Sequence, residues 1–325
     1  MKRLSIIVPL YNSAQYLPKC IGSLVHQDIP LEDYEIILVN DGSPDHSEDL
    51  ARQYASEYFN IIVVSQENKG TSGARNTGVR VSTGKYLYFV DPDDYILENS
   101  LKLLLDQMDA NELDVLRFGY TEVDEEYKPT QSCKHPEQPD YSPKIMDGYT
   151  FMGERLGTAC YVWTFLFKAS IIKDNRLYFI EGDYFDDTPW LPRVLAKANR
   201  VDSIPMKRHF YLIRSNSLVQ SKSVASIKRK IDGHLFLVDE LGRQVSVIQN
   251  KDARKWYRMM TAFCVLTLLT LVGQFFYSDR KSFICSLREK KVFPLSWDRF
   301  DWQNKLKLLM INISPSIYCW LIHIR

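Results

Sequence analysis

The six cysteines, Cys20, Cys133, Cys160, Cys264, Cys285 and Cys319, include no CxxC pair, and none has a histidine at ligand spacing. Such scatter supports neither a zinc site nor a disulfide framework, and a reducing compartment is the expectation. The six histidines are dispersed too, with no HExxH run to hold a metal. Net charge is almost absent: 41 basic and 40 acidic residues leave +1, which argues against a dedicated nucleic-acid binder. The opening MKRLSIIVPLYN sets two basic residues before an apolar run. Pro9 and Asn12 break that run early and no small-residue cleavage site follows, so it reads as a buried strand and not as a secretory leader.

What is present suits a folded protein, with 45% hydrophobic and 25% charged residues. A length of 325 residues exceeds what one core usually supports, so one large domain with an appended element, or two domains, is expected. The near-zero charge hides a segregation. Residues 1–225 hold 24 basic and 32 acidic residues, net −8; residues 226–325 hold 17 and 8, net +9.

The first 120 residues alternate two textures. Short β-branched runs at Leu4–Val8, Tyr34–Val39, Ile61–Val64 and Tyr86–Val90 predict strands buried on both faces of a parallel sheet. Between them Leu17, Cys20, Ile21, Leu24 and Val25 follow helical spacing, as do Leu50, Tyr54 and Tyr58. Strands alternating with helices predict βαβ units and an open α/β sheet, closed by a further strand over 114–120. Residues 121–148 are rich in proline, serine and charge and read as a solvated excursion. Apolar strands and a helix return over 149–217, and from about 221 the pattern is helical.

In an open α/β sheet, ligands bind beyond the carboxyl ends of the strands, and those ends carry the chemistry here. Asp91-Pro92-Asp93-Asp94 concentrates carboxylates that repel one another unless a cation sits between them, an arrangement suited to Mg²⁺ or Mn²⁺ shared with substrate phosphates. The competing role is a cap on a helix starting near Leu97, but a cap needs one carboxylate and not three. The Gly70–Gly78 segment has neither dinucleotide-binding nor P-loop spacing; it reads as a loop entering a helix that presents Arg75, whose guanidinium matches phosphate oxygens. Asp41 sits in an Asp-Gly turn, where turn geometry and ligand binding are equally open.

Together SIIVPLYN (5–12), VNDGS (39–43), NKGTSGARNTG (68–78) and YFVDPDD (88–94) resemble, in order and approximate spacing, the motifs of the family 2 glycosyltransferases, which have the GT-A fold. The resemblance implies roles. Pro9, Tyr11 and Asn12 line the pocket of the donor's nucleotide base, with Asp41 accepting a hydrogen bond from it. Lys69, Gly70 and Arg75 lie along the donor side, Asp91 near the ribose, and Asp93, with Asp91, on a divalent Mn²⁺ or Mg²⁺ bridging the diphosphate. The Glu181–Thr188 segment resembles the family's acidic pair before a helix, although this chain has Asp-Asp where Glu-Asp is usual. Asp187 matches the base that takes the acceptor hydroxyl's proton, with Asp186 and Asp183 as fallbacks and helix capping as the competing role. Trp163 and Arg214 resemble acceptor-side residues; core packing for Trp163, and pairing with the acidic 121–148 excursion for Arg214, are their plainer alternatives.

The expectation is therefore a GT-A mixed sheet flanked by helices over 1–220 (a nucleotide-sugar half, 1–120, and an acceptor half, 121–220), with a helical extension over 221–325. The activity the resemblance implies is inverting transfer of a hexosyl or N-acetylhexosaminyl group from a nucleoside-diphosphate sugar, UDP-linked by family habit, to an acceptor hydroxyl in polysaccharide or glycolipid synthesis. A nucleotidyltransferase of sugar phosphates and a non-catalytic sugar-nucleotide-binding module are the alternatives. Met259 to Ser278 carries no charge. Its threonines, Gly273 and Gln274 favour a docked helix over a surface-bound one, and a spanning helix last. Trp297, Trp302 and Trp320 interleave with lysines and arginines, which suits either an anionic membrane surface or a solvated basic face. The expected location is cytoplasmic, with peripheral membrane contact through 253–325 and a saccharide or lipid-linked acceptor.

Overall fold

The structure is a computed structural model that describes residues 2–130, 142–182, 185–214 and 223–324. The chain divides into two compact units, the first formed by residues 1–151 and 161–214, the second by 152–160 and 215–325. Along the first unit run β1 (Leu4–Leu10), α1 (Leu17–Val25), β2 (Tyr34–Asn40), α2 (Ser47–Glu57), β3 (Ile61–Ser65), α3 (Gly70–Val81), β4 (Tyr86–Phe89), β5 (Tyr95–Ile96), α4 (Leu101–Ala110), β6 (Val115–Val123), α5 (Gly148–Glu154, whose last turn belongs to the second unit), β7 (Phe165–Lys168), α6 (Ala169–Asp174), α7 (Asp187–Leu195) and β8 (Val201–Leu212).

The eight strands form one mixed sheet in the order β3-β2-β1-β4-β7-β6-β8-β5. The four βαβ strands are parallel; β7 runs against both β4 and β6, and β5 runs against β8. The central strands are buried on both faces because helices cover both. Leu4, Ile6, Val8 and Leu10 face the core under α1 and α4. On the other face Ile7 lies so close to α3 that a Cβ at Gly78 would sit 2.3 Å from its Cγ2. Every apolar position expected of α1, Leu17, Cys20, Ile21, Leu24 and Val25, is buried.

Two expectations need correction. The Ile61–Val64 run is not buried on both faces: as the sheet edge, β3 leaves Ile62 40% exposed, since no strand or helix covers that flank completely. No helix starts near Leu97 either. The chain after Asp94 extends as β5 beside β8, and α4 begins at Leu101, so the acidic turn caps nothing.

Register decides where the polar strand ends meet. Leu10 pairs with Asn40, Asn40 with Ser65, and Ile7 with Phe89, which sets Tyr11, Asp41, Gln66 and Asp91 along one edge. Because β7 is antiparallel to β4, its start, just after Trp163, lies at that same edge. The end of β8 reaches it through the pairing of Tyr95 with Phe210.

The second unit is helical: α8 (Val224–Val247), α9 (Lys251–Phe275), α10 (Arg280–Glu289), α11 (Trp302–Ile313) and α12 (Pro315–His323). Within it α9 is the core helix, with Trp256, Tyr257, Cys264, Leu268, Leu269 and Val272 buried. It is long and apolar enough to cross a membrane by length and composition, yet 56% of its apolar window is buried inside the protein. Met152–Cys160 joins this unit, where Trp256 Nε1 donates to the Gly157 carbonyl at 2.9 Å and Arg299 donates to the Gly153 carbonyl at 2.8 Å.

Close approach of the turn after α3 to β1 gives a stability test. Gly84 donates its N–H to Ser5 Oγ at 2.8 Å, and a Cβ there would lie 2.5 Å from the Ser5 backbone nitrogen. Neither backbone can yield freely, so Gly84→Ala is expected to cost about 2 kcal/mol or more, measured as a lower urea midpoint of unfolding.

Candidate active site

Arg75 is the organising side chain at the sheet's carboxyl edge. It sits mid-way along α3, a helix opening at Gly70 with φ +75°, a backbone conformation glycine adopts without Cβ strain. From there the guanidinium reaches three carboxylates: Nη2 donates to Asp91 Oδ1 at 2.8 Å, and Nη1 donates to Asp186 Oδ2 at 2.8 Å and Asp187 Oδ1 at 2.7 Å. Its side chain is 4% exposed. Burial opposes the charge, but Asp186, Asp187 and Asp91 outweigh it and hold the group firmly protonated. Its Nε is buried without a hydrogen-bond partner among the described residues.

The acidic pair divides its labour. Asp186 is the N-cap of α7 and accepts from the Asp187 N–H at 3.1 Å, so the capping role expected of Asp187 falls to its neighbour. Asp187 occupies the first helical turn with its carboxylate directed to Arg75, while its Oδ2 accepts a long bond of 3.2 Å from the Val162 N–H. Burial pushes the Asp187 carboxyl up to about 8; Arg75 opposes the shift and Asp186 and Asp91 add to it. Asp183 lies outside the described residues. Glu181 anchors the approach to this segment, taking a bond from Asn76 Nδ2 at 3.1 Å.

The DPDD turn splits in the same way. Asp93 pairs with Arg214, whose guanidinium also lies 4.8 Å over the Tyr16 ring. Burial, then repulsion from Asp94 and Asp91, raises the Asp93 carboxyl to about 7 against the pull of Arg214. Asp94 turns away from the edge and is fully buried. Its Oδ1 accepts from Leu212 N at 2.9 Å and its Oδ2 lies 2.8 Å from His209 Nε2, whose Nδ1 meets the Tyr88 hydroxyl at 2.8 Å. Burial drives the Asp94 carboxyl up and the His209 imidazole down to about 3. From sequence Asp94 counts among the carboxylates suited to a cation, and its inward turn removes it from that set; His209 was not singled out. Nothing but the strand pairing brings positions 115 residues apart together.

Asp41 is buried, with Oδ1 fixed by Gln66 Nε2 at 2.6 Å and by the Lys69 N–H at 2.9 Å. Its Oδ2 is hydrogen-bonded to nothing among the described residues. Tyr11 and Asn12 are exposed beside it, Asn12 at φ +52°, and Pro9 is buried inside β1. Lys69 and Gly70 are exposed at the start of α3. Trp163 is buried in an aromatic stack, its ring 4.6 Å from His209, 5.3 Å from Tyr211 and 4.9 Å from the exposed Tyr161. The packing role for Trp163 is thus real, and Tyr161 is the face of that stack open to solvent. Among the described residues no group of three or more metal-ligating side chains occurs.

A mixed sheet whose carboxyl edge gathers Asp41, Asp91, Asp93 and Asp187, the last three paired with two guanidinium groups, is the architecture of a GT-A glycosyltransferase. The family model described as glycosyl transferase family 2 matches residues 5–176, and the chain belongs to that family. Uncharacterized glycosyltransferase EpsJ of Bacillus subtilis strain 168 is 34% identical over 238 residues, 71% of this chain and 66% of EpsJ. The poly(ribitol-phosphate) beta-glucosyltransferase of Bacillus spizizenii is 30% identical over 217 residues, 65% of this chain and 32% of that protein. The chain therefore spans less than two thirds of these relatives. The crystal structure of S. aureus TarS 1–349 in complex with UDP-GlcNAc superimposes with a TM-score of 0.69 at 20% identity, covering 99% of this chain and 90% of that one. This likeness carries the fold. Family membership favours glycosyl transfer over the nucleotidyltransferase alternative.

Removing Arg75 leaves three carboxylates facing one another without their counter-ion. Arg75→Ala is expected to destabilise the fold by about 3–5 kcal/mol at pH 7. In the variant the native carboxylates bind protons more tightly than the unfolded chain does, so stability rises as pH falls. Urea unfolding at pH 5 and pH 7 checks this: the deficit against wild type should be smaller at pH 5.

Proposed function

We propose that the protein is a metal-dependent, inverting glycosyltransferase that moves a hexosyl or N-acetylhexosaminyl group from a UDP-linked sugar to a hydroxyl of a saccharide or wall-polymer acceptor. The observation that carries this reading is the convergence of Asp41, Asp91, Asp93 and Asp187 on one sheet edge. A nucleotide, a diphosphate and a proton each find a matching group there. The UDP-linked donor is supported by the ligand named for the TarS structure, and the polymer acceptor by the name of the Bacillus spizizenii relative.

In this reading Asp41 holds the base with the oxygen that Gln66 and Lys69 leave free, beside Tyr11 and Asn12. The residues present fit a divalent cation: a Mg²⁺ or Mn²⁺ site completed by substrate phosphates and water needs one or two carboxylates, not a cage of protein ligands. Asp93 and Asp91 would hold it. Burial and like-charge repulsion at Asp93 are the features a cation would relieve. When bound, such an ion neutralises charge on the departing diphosphate. Arg75 and Arg214 preorganise positive charge on the same side, paired with the carboxylates until a phosphate arrives.

Asp187 is the base. Its Oδ1 is fixed by Arg75, and Oδ2, tied weakly to Val162, accepts the proton of the acceptor hydroxyl as that oxygen attacks the anomeric carbon opposite the leaving group. A carboxyl raised toward the working pH is a more effective base than one of ordinary acidity. Tyr161, on the open face of the aromatic stack, would bear on the acceptor sugar.

Two outcomes test this. Asp187→Asn should lower kcat by roughly a hundredfold or more while leaving UDP-sugar affinity near wild type, read by calorimetry beside turnover; equal loss in both would remove Asp187 from the base role. Because the base works deprotonated, kcat/KM should rise with pH through a midpoint near 8, as its raised pKa requires, and that limb should vanish from the residual activity of the variant.

A further inference from the structure

The second unit carries an apolar surface that the glycosyl-transfer reading does not use. The chain's six tryptophans sort into two groups: Trp163, Trp190 and Trp256 are buried, whereas Trp297, Trp302 and Trp320 are 48%, 68% and 49% exposed. All three exposed rings fall in the last 29 residues of the sequence.

Their neighbours follow helical spacing on the wrong side for a core. On α11, Leu308 and Ile311 point inward, while Trp302, Leu306, Leu309 and Ile313 are exposed at steps of four, three and four. On α12, Tyr318 and Cys319 are buried, while Ile317, Trp320 and Ile324 are exposed at steps of three and four. Each helix thus has an apolar face inside the unit and a second one in solvent. Single exposed apolar residues need no explanation, but contiguous rows mark an interaction surface.

Charge selects the partner. From Trp302 to the end of the sequence there is no aspartate or glutamate, while Lys305 and Lys307 sit among the exposed apolar positions of α11. Tryptophan rings on an apolar face beside lysines match the headgroup layer of an anionic bilayer, where the ring body is apolar and its N–H stays wet. A second copy of the chain is a poorer occupant, because a two-fold contact would press the lysines of both copies together.

We infer that the solvent-facing rows of α11 and α12 form a surface that seats in the interface of an anionic membrane, with the helices lying in its plane. This differs from a spanning segment. The one described helix long enough to span, α9, places much of its apolar surface inside the protein, and membrane contact falls to two shorter helices. The inference stands apart from the glycosyl-transfer proposal, since its test reads lipid partition and not turnover.

The test is sedimentation of the full-length protein with phosphatidylethanolamine–phosphatidylglycerol vesicles and with phosphatidylcholine vesicles, beside sedimentation velocity without lipid. The wild type is expected to partition to the anionic vesicles alone and to be released by salt. Trp302→Ser with Trp320→Ser, both at exposed positions, should lower partition roughly tenfold or more. Lys305→Glu with Lys307→Glu should lower it at least roughly fivefold and weaken the salt dependence. Absence of binding, equal binding to both vesicle types, or partition unchanged in the tryptophan variant would overturn the inference. So would a wild-type dimer that this variant dissolves without any vesicle binding, which would assign the surface to a second copy.

Discussion

The site rests on one buried cation. Arg75 holds Asp91 from the end of β4 and Asp186 and Asp187 from the start of α7, segments about a hundred residues apart in sequence. Without a positive charge among them, three carboxylates in a poorly solvated space would repel one another or take up protons. With it, all three are held at hydrogen-bond distance from one guanidinium. Coulombic attraction is strong there because little water screens it, and the same burial makes an unpaired partner costly. The geometry around the candidate base is therefore inherited from an ion network and not from α7 alone.

Parallel register supplies the frame on which that network hangs. A sheet with four parallel strands delivers its loops to one edge, and pairing Leu10 with Asn40 and Ile7 with Phe89 leaves the motif residues little freedom. The antiparallel strands β7 and β5 add what a purely parallel sheet could not. They return the chain so that Val162 and Arg214, from late in the unit, meet Asp187 and Asp93. The third aspartate of the DPDD turn closes the frame: by bonding His209 and Leu212 it fastens that turn to β8.

The second unit shows how apolar content can mislead when it is read as a linear quantity. Residues 259–278 are the longest uncharged stretch, yet half of them are buried, all on α9. The shorter α11 and α12 expose apolar residues as well, because each presents them on two sides and the unit covers one. The total of apolar residues does not distinguish these cases. Their angular distribution about each helix does.

Sequence alone determined the alternation of strands and helices, the apolar face of α1, the four ordered motifs and the polar strand ends that mark the crevice, because these depend on local periodicity and on residues close in the chain. It also carried the family resemblance, since motif order is a linear property. Tertiary structure decided the rest. It made β3 an edge strand, gave the cap to Asp186, sent Asp94 inward to His209, set Arg214 against Asp93 and turned the α11 and α12 rows to solvent. Each of these depends on which distant segment lies alongside, a matter of sheet order and of packing between helices that no local pattern encodes.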